Sequence, residues 1–232
     1  MNKNNQPTRD QIFKIIDKAK FAPHADNTQA FTFHWNGTTL EINCNSDRDA
    51  HTFNPNNFVT YINLGATTEY IAMAASEFGY KANLKLNSKE YLNATGKIGH
   101  ILFKAHTSAQ VDPLMDHLTK RTTDRRSFNK GNIIDISKLI HRDIDLGNVQ
   151  LHAAPANHNG LRSVVFNTES TIFDWKQARQ DVLKWVRLTQ KQVYATRDGL
   201  PFFNLGMNAL DVIFMKGYAK LIRLQNFLTP LV

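Results

Sequence analysis

The strongest constraint on the fold is an alternating apolar pattern on both sides of an Asn36-Gly37 pair. Apolar residues occupy every second position before the pair and again after it: Phe31, Phe33, Trp35, Leu40, Ile42 and Cys44. Period-two alternation is typical of a strand with one buried face, and Asn-Gly favours a two-residue hairpin turn. The sequence therefore predicts an antiparallel hairpin with Asn36-Gly37 at its turn, and with it a sheet.

A capping pattern precedes this hairpin. Thr8 followed by Gln11 has the spacing of a capping box, and we expect the helix to end near Phe21. The apolar residues of this helix recur at helical spacing and define its buried face: Ile12, Ile15, Ile16 and Ala19.

A longer helix is predicted after the hairpin, beginning near Asn56 or Asn57 and stopped by Gly79 in a left-handed conformation. Residues 45–58, rich in Asn, Asp and Pro, are expected to form a surface loop leading to it. Its predicted buried face comprises Tyr61, Leu64, Thr68, Ile71, Ala72 and Ala75. We expect Gly65 to let another helix approach closely.

The remaining chain alternates between strand and helix patterns. Strands are predicted over 82–86, 98–103 and 149–153, and helices after Asp112-Pro113 and over 134–140, 171–194 and 205–228. The Asp198-Gly199-Leu200-Pro201 segment separates the last two helices. Together these patterns predict an α+β fold with an antiparallel or mixed sheet flanked by helices.

Composition excludes several classes of protein. The 232 residues are 42% hydrophobic, which is enough for a sizeable core. The chain lacks an apolar stretch at its start or a run of ~18 apolar residues, so we expect a cytoplasmic protein without a membrane span. Cys44 is the single cysteine and the nine histidines lack ligand spacing, so no metal site is expected. The net charge of +8 favours an anionic partner.

Two segments carry candidate chemistry. The first is Ala22-Pro23-His24-Ala25-Asp26-Asn27-Thr28-Gln29-Ala30-Phe31-Thr32-Phe33, which leaves a helix, crosses a polar turn and enters a strand. The second is Arg121-Thr122-Thr123-Asp124-Arg125-Arg126-Ser127-Phe128, in which guanidinium groups could converge on a phosphate. From the residues alone, the turn amides and the basic segment are equally consistent with a solvated surface.

These segments resemble motifs of the nitroreductase family. The first is similar to the family's Ala-Pro-Ser-x-x-Asn-x-Gln-Pro-Trp-x-Phe segment, with His24 in place of Ser and Ala30-Phe31 in place of Pro-Trp. The second resembles the basic Arg-Ser-x-Arg-x-Phe segment that grips the FMN phosphate. Gly65-Ala66, Glu69 and Asp198-Gly199-Leu200 add to the resemblance, which covers most of residues 10–215.

The order of the two segments is reversed relative to ordinary nitroreductases, in which the basic segment comes first. The resemblance is therefore to fused, single-chain relatives, in which a tandem duplication places both parts of one site on one chain. It implies a first nitroreductase-like half over 1–110 and a second, apparently shortened half over 111–232. An apolar lid would occupy about 198–232.

The resemblance implies an oxidoreductase that binds FMN and passes electron pairs from NAD(P)H to nitroaromatics or quinones. The expected cofactor-binding residues are Pro23, His24, Ala25, Asn27, Gln29, Arg121, Arg125 and Arg126. No catalytic residue is implied, and a homodimer remains open.

Two alternatives follow from the same residues. A flavin-sequestering protein without turnover would use the apolar final segment as a lid that excludes substrates. A nucleic-acid-binding protein would use the basic residues around 115–130, although no recognition module accompanies them, so we do not expect nucleic acid as a partner.

Overall fold

Helices pack against a four-stranded antiparallel sheet in this chain. The computed structural model describes residues 6–87, 93–106, 110–125 and 159–228. The strands are β1 (Phe31–Trp35), β2 (Thr39–Cys44), β3 (Tyr80–Leu86) and β4 (Gly96–Ala105), in the spatial order β1-β2-β4-β3. Every neighbouring pair in this sheet is antiparallel. The α+β class expected from the sequence is confirmed.

The β1–β2 hairpin forms as predicted, but its turn is centred one residue later. The Asn36 N–H donates to the Thr39 carbonyl at 3.2 Å, so Gly37 and Thr38 occupy the centre of the turn. The Asn36 side chain accepts from the N–H groups of Thr38 and Thr39 at 3.0 and 2.8 Å. Gly37 has φ +97°, which glycine adopts without strain. Asn36 therefore acts as the anchor of the turn rather than as one of its two central residues.

Two helices cover one face of the sheet. The first, α1 (Arg9–Ala19), carries the predicted capping box between Thr8 and Gln11. The long helix α3 (Phe58–Ser76) packs against α1 and β3. The core joins buried residues of both helices to those of β2 and β4: Ile12, Ile15, Leu64, Ile71, Leu40, Ile42, Ile98, Ile101 and Phe103. The burial of this apolar surface is the main favourable contribution to folding.

The buried face of α3 differs in part from the predicted one. Leu64, Ile71 and Ala75 are buried as expected, but Thr67 is buried in place of Thr68. Gly65 is exposed, and a Cβ atom there would meet nothing within 4 Å, so no helix among the described residues approaches it as closely as expected. The helix stops as predicted, since Gly79 has φ +73°.

The 45–58 segment is not the plain surface loop that its polar composition predicted. It contains the short helix α2 (Ser46–Asp49) and a 3₁₀ turn at Pro55–Asn57. Asp49 is only 1% exposed, because the hydroxyls of Thr28 and Thr60 donate to its two carboxylate oxygens. Asn57 is the N-cap residue of α3, as predicted, but its side chain makes no capping hydrogen bond. The Oδ1 of Asn54 accepts from the Val59 N–H at 2.8 Å instead.

The carboxyl-terminal part consists of more and shorter helices and strands than predicted. Instead of one helix over 171–194, α4 (Asn159–Asp174) and α5 (Lys176–Trp185) meet at Trp175, whose backbone is extended. The strand β5 (Val186–Arg187) follows, and then α6 (Gln190–Thr196), which Thr189 caps. Trp175 is exposed, whereas Trp185 is buried.

The break at 198–201 is confirmed. There the short strand β6 (Leu200–Pro201) pairs in parallel with β5. The last described helix is α7 (Ala209–Leu228), within the segment predicted to be a lid.

After Asp112-Pro113 only a 3₁₀ turn forms, at Met115–His117, instead of the longer helix expected. The predicted helix at 134–140 and strand at 149–153 lie outside the described residues. Within the described ranges, none of the helices has the length and apolar character that crossing a membrane requires.

We predict that Asp49→Asn lowers the free energy of unfolding by about 2 kcal/mol, because an amide cannot accept from both threonine hydroxyls. Asp47→Asn on the same short helix is the control, since Asp47 is exposed. Urea denaturation of both variants measures the difference. Equal midpoints for the Asp49 variant and the parent would contradict the role given to this buried carboxylate.

Candidate functional site

One cleft brings together three distant segments of the chain. The residues before and within the first turn, 20–29, form one wall, and 121–125 form another. The third wall comes from 197–204, which includes β6. The cleft has a volume of about 520 Å³, in the range of ~300–1,000 Å³ found for small-molecule sites.

Most of the residues expected to bind a cofactor line this cleft: Pro23, His24, Asn27, Gln29, Arg121 and Arg125. Ala25 does not, because its N–H donates to Asn63 Oδ1 at 3.0 Å, and Asn63 is only 1% exposed. That N–H is therefore engaged within the chain. Pro23 carries no N–H at all, so the backbone of this stretch has fewer donors than the sequence suggested. Arg126 lies outside the described residues.

The first turn has an unusual backbone. Asp26, Asn27 and Gln29 have φ values of +52°, +50° and +53°. Residues other than glycine rarely adopt this left-handed region, and such outliers concentrate at functional sites because the surrounding structure must maintain them. The turn is therefore held in a shape that the local sequence does not favour.

Side-chain and backbone contacts hold Asn27 in this turn. Its Oδ1 accepts from Gln29 Nε2 at 2.6 Å, and its Nδ2 donates to the Gly199 carbonyl at 3.3 Å. The Gly199 N–H in turn donates to the Asn27 carbonyl at 3.1 Å. These paired contacts fix the amide and join residues that are 172 positions apart.

Gly199 is required at this contact. It has φ +76°, and an added Cβ atom would lie 2.3 Å from the Trp185 carbonyl oxygen and 2.7 Å from Arg187 Cζ. No side chain fits that space, since real Cβ atoms do not come so close to backbone.

Asp198 holds the third wall of the cleft against the first. Its Oδ2 accepts from Arg48 Nη2 at 2.6 Å, and its Oδ1 accepts from Arg187 Nη2 at 2.6 Å. Arg48 Nε also donates to the Thr28 carbonyl at 2.6 Å, directly beside the turn. We call Asp198, Arg48 and Arg187 the Asp198 clamp.

The contacts of the Asp198 clamp lower the pKa of Asp198. Burial alone would raise the pKa of the carboxyl, but hydrogen bonds from Arg187, Thr196 and Arg48 outweigh it and hold the pKa below its ordinary value. The side chains of Asp198 and Arg187 are each 11% exposed and that of Arg48 is 38% exposed. The sequence identified Asp198-Gly199-Leu200 as a helix break and as part of the family resemblance, and nothing in it pointed to Arg48 or Arg187.

The environment of His24 favours its uncharged form. Burial lowers its pKa, Asp49 opposes that change and Arg121 adds to it. Its Nε2 lies 2.7 Å from Thr67 Oγ1, which itself donates to the Asn63 carbonyl at 2.8 Å. Thr67 must therefore accept from His24, which places the His24 proton on Nε2. Because that N–H is engaged by Thr67, His24 contributes a wall to the cleft rather than a free donor.

The cleft is strongly cationic. Four basic side chains line it (Lys20, Arg121, Arg125 and Arg197), and none of the described residues that line it is acidic. Arg121 is steadied by Thr123 Oγ1 at 2.8 Å and by the Phe21 carbonyl at 3.3 Å. A concave surface with this charge favours an anionic ligand. Sequence reasoning missed Lys20 and Arg197, which carry no motif of their own.

The described residues contain no group of three or more His, Cys, Asp or Glu side chains that could hold a metal ion. Cys44 is buried, and burial raises the pKa of its thiol to about 12. Its sulfur therefore stays protonated.

No protein-family model matches the sequence, and a search of curated proteins gives no match. Among solved structures, the chain is similar to a candidate NADH oxidase from Clostridium acetobutylicum, with 11% identity, a TM-score of 0.38 and coverage of 62% of this chain and 93% of that one. It is also similar to a nitroreductase family protein from Clostridium difficile 630, with 12% identity, a TM-score of 0.35 and coverage of 60% and 88%. A third is the NfrA1 nitroreductase from B. subtilis, with 10% identity, a TM-score of 0.35 and coverage of 84% and 90%. At these TM-scores the likeness assigns no function, which has to come from the residues of the cleft.

We predict that Asp198→Asn lowers the free energy of unfolding by about 2 kcal/mol, because it leaves the buried Arg187 guanidinium without its carboxylate, while the more exposed Arg48 guanidinium is partly compensated by water. Asp174→Asn, at an exposed position at the end of α4, is the control. Chemical denaturation of the two variants beside the parent measures the cost. A loss below 0.5 kcal/mol, the scale of an ordinary surface substitution, would show that the clamp does not hold the structure.

The same contact predicts a pH dependence. Because the folded pKa of Asp198 is depressed, its stabilising effect is complete above the unfolded pKa of ~3.9 and is lost as the pH falls through the folded value. The difference in unfolding free energy between the parent and Asp198→Asn should therefore stay constant from neutral pH to about pH 4 and shrink below it. Denaturation of both proteins at a series of pH values measures this, and a difference independent of pH down to ~2 would contradict it.

Proposed function

We propose that this chain is an FMN-binding, nitroreductase-like oxidoreductase whose cofactor occupies the cleft between the first turn and the basic segment. One observation carries the proposal. The two segments that resemble the family's ring-binding and phosphate-binding motifs are about 100 residues apart in sequence, yet they line the same cleft. A chance resemblance in either segment would not bring them together.

The chemistry of the cleft fits FMN. A flavin ring requires amide groups for its polar edge and apolar walls for its faces. Asn27 and Gln29 supply the amides, while Pro23, Leu200 and Pro201 supply apolar surface.

The other end of FMN is a phosphate dianion, and it suits the guanidinium groups of Arg121 and Arg125. Arg197 and Lys20 add positive charge to the same cleft. Arg126 remains a proposed contact.

When bound, FMN would accept a hydride equivalent from NAD(P)H and pass electron pairs to a nitroaromatic or a quinone. The residues of this chain would position the ring and neutralise the phosphate. The paired contacts between Asn27 and Gly199 would keep the turn amide in place without rearrangement on binding. The uncharged His24 would add no charge near the ring, and Thr67 keeps its Nε2–H occupied.

The proposed activity is tested by loading the purified protein with FMN and mixing it anaerobically with NADPH or NADH. Rapid loss of the yellow absorbance of oxidised flavin, followed by its return when a quinone is added, is the expected result. Flavin that binds but stays oxidised would contradict turnover and leave a storage protein. Protein that binds no flavin would contradict the whole proposal.

We predict that replacing both Arg121 and Arg125 by alanine weakens FMN binding by about 2 to 4 kcal/mol, since each would form charge-assisted contacts to the phosphate. Arg162→Ala is the matched control, because Arg162 is an exposed arginine on α4 that does not line the cleft. Fluorescence titration with FMN and with riboflavin separates the effects. Affinity for riboflavin, which lacks the phosphate, should change little, and an equal loss for both ligands would contradict the assignment.

A further inference from the structure

The helix α7 exposes an apolar stripe that no other part of the described chain covers. Leu210, Ile213, Phe214 and Leu221 are 76%, 65%, 73% and 54% exposed. Helical spacing places them on one side of α7 together with Gly217, and we call these five residues the α7 stripe. A contiguous exposed apolar surface of this kind marks a contact with a protein or with a membrane.

Two lysines border the α7 stripe along one edge. Lys216 and Lys220 are exposed and lie one helical turn apart. Lys220 follows Ile213 by seven residues, close to two full turns, so the lysines adjoin the Ile213 edge of the stripe. Neither lysine forms an ion pair with a carboxylate among the described residues. Their charges are therefore available to an external anion.

The same two lysines line a groove on the side of α7 away from the stripe. The groove has a volume of about 310 Å³ and is lined by Leu188, Gln192, Lys216, Ala219 and Lys220. None of these lining residues is acidic, so a phosphate group placed here would meet two ammonium groups and no carboxylate. Apolar surface and a cationic groove thus lie side by side on one helix.

The one exposed acid on the described part of α7 is engaged at the start of the helix. The Oδ2 of Asp211 accepts from the Asn208 N–H at 2.9 Å, and Asn208 Oδ1 accepts from the Asp211 N–H at 3.0 Å. This reciprocal cap places the carboxylate at the positive end of the helix dipole. Asp211 also precedes Lys220 by nine residues, which puts the two charges on opposite sides of the helix.

We propose that α7 docks this chain on the surface of an anionic phospholipid bilayer. The α7 stripe enters the boundary between headgroups and acyl chains, and Lys216 and Lys220 contact lipid phosphates from the groove beside it. Helices with a basic edge and exposed Phe and Leu bind bilayers in this way, lying in the plane of the surface. The net charge of +8 adds long-range attraction to the same surface.

Charge favours a bilayer over a protein as the occupant of the stripe. An apolar protein surface would use the stripe and leave the two lysines and their groove without a partner. An anionic bilayer uses both features, since its acyl chains meet the stripe and its phosphates meet the lysines.

Lipid binding through α7 is independent of flavin binding. No residue of α7 lines the cleft of the proposed function. Docking on lipid can therefore fail while FMN binding holds, and the reverse.

Co-sedimentation of the full chain with vesicles tests the docking. The parent should bind vesicles of phosphatidylglycerol and phosphatidylcholine in equal parts, and should bind phosphatidylcholine alone about tenfold more weakly. Added salt should weaken binding to the mixed vesicles, because it screens the lysines. A parent that binds neither kind of vesicle, whether α7 pairs with a second copy or closes the cleft as a lid, would overturn the proposal.

Phe214→Asp tests the role of the stripe. It removes the largest apolar side chain and adds a negative charge, so binding to the mixed vesicles should weaken by about tenfold or more. Val164→Asp is the matched control, since Val164 is a comparably exposed apolar residue on α4. No loss for the Phe214 variant, or an equal loss for both variants, would contradict docking through α7.

Replacing Lys216 and Lys220 together by glutamine tests the basic edge. Binding to the mixed vesicles should weaken by about 25-fold, since each lysine near an anionic surface contributes a factor of about five. Lys81→Gln with Lys85→Gln is the control, because it removes the same charge from exposed positions on β3. Equal losses for the two pairs would show that net charge alone attracts the chain, and would overturn the proposal.

Gly217→Leu distinguishes a lipid surface from a packed protein partner. A Cβ atom at Gly217 would meet nothing within 4 Å, and leucine favours a helix over glycine, so the variant should fold at least as well as the parent. In the centre of the stripe the added side chain enters the lipid, so vesicle binding should tighten by about tenfold. A close-packed protein partner would lose affinity instead, and unchanged or weaker vesicle binding would contradict insertion of the stripe.

Discussion

The Asp198 clamp is the interaction on which the candidate site depends. Arg48 follows the first hairpin, Arg187 lies in β5, and both donate to a carboxylate that is 150 residues away from Arg48 in the chain. Arg48 also donates to the backbone of the turn itself. Without the clamp, two guanidinium groups and a carboxylate would lose their partners. The 197–204 wall would keep the Asn27–Gly199 contacts, the hydrogen bond from the Arg125 N–H to the Asn204 carbonyl at 3.0 Å and the pairing of β6 with β5.

The clamp also explains how a strained turn can persist. Three left-handed residues within 26–29 are unfavourable by themselves. Locally they are offset by the Gln29 to Asn27 contact and by a hydrogen bond from the Asn27 N–H to the His24 carbonyl at 3.3 Å. Hydrogen bonds from the Gly199 N–H to the Asn27 carbonyl and from Arg48 to the Thr28 carbonyl stabilise this turn conformation from distant parts of the chain. Such an arrangement presents its amides and the neighbouring cationic groups in fixed positions, which lowers the cost of ordering them when a ligand binds.

Sequence reasoning succeeded where the deciding interactions are local. The capping box of α1, the alternation of β1 and β2 and the left-handed stop at Gly79 depend on residues within a few positions of each other. Sequence reasoning failed where contacts between residues far apart in the chain determine the local structure. The extended backbone at Trp175 divides an otherwise continuous helical pattern, and Asp49 is buried because two threonines from other segments donate to it.

The site divides in the same way. The turn and the basic segment carry recognisable patterns, so the sequence could name Asn27, Gln29, Arg121 and Arg125 as cleft residues. No local sequence motif marks the two arginines of the Asp198 clamp, because nothing around Arg48 or Arg187 in the sequence distinguishes them from other arginines. The roles of these residues toward flavin rest on the proposal, whereas their shared cleft is a feature of the fold.

The most direct test of the account is a titration of FMN into the parent and into Asp198→Asn, followed by flavin fluorescence. Asp198 does not line the cleft, so any effect on binding must come through the wall it holds. The account predicts one FMN bound per chain in the parent and at least tenfold weaker binding in folded Asp198→Asn protein. Equal affinity in the two proteins, or a folded parent that binds no FMN, would contradict it.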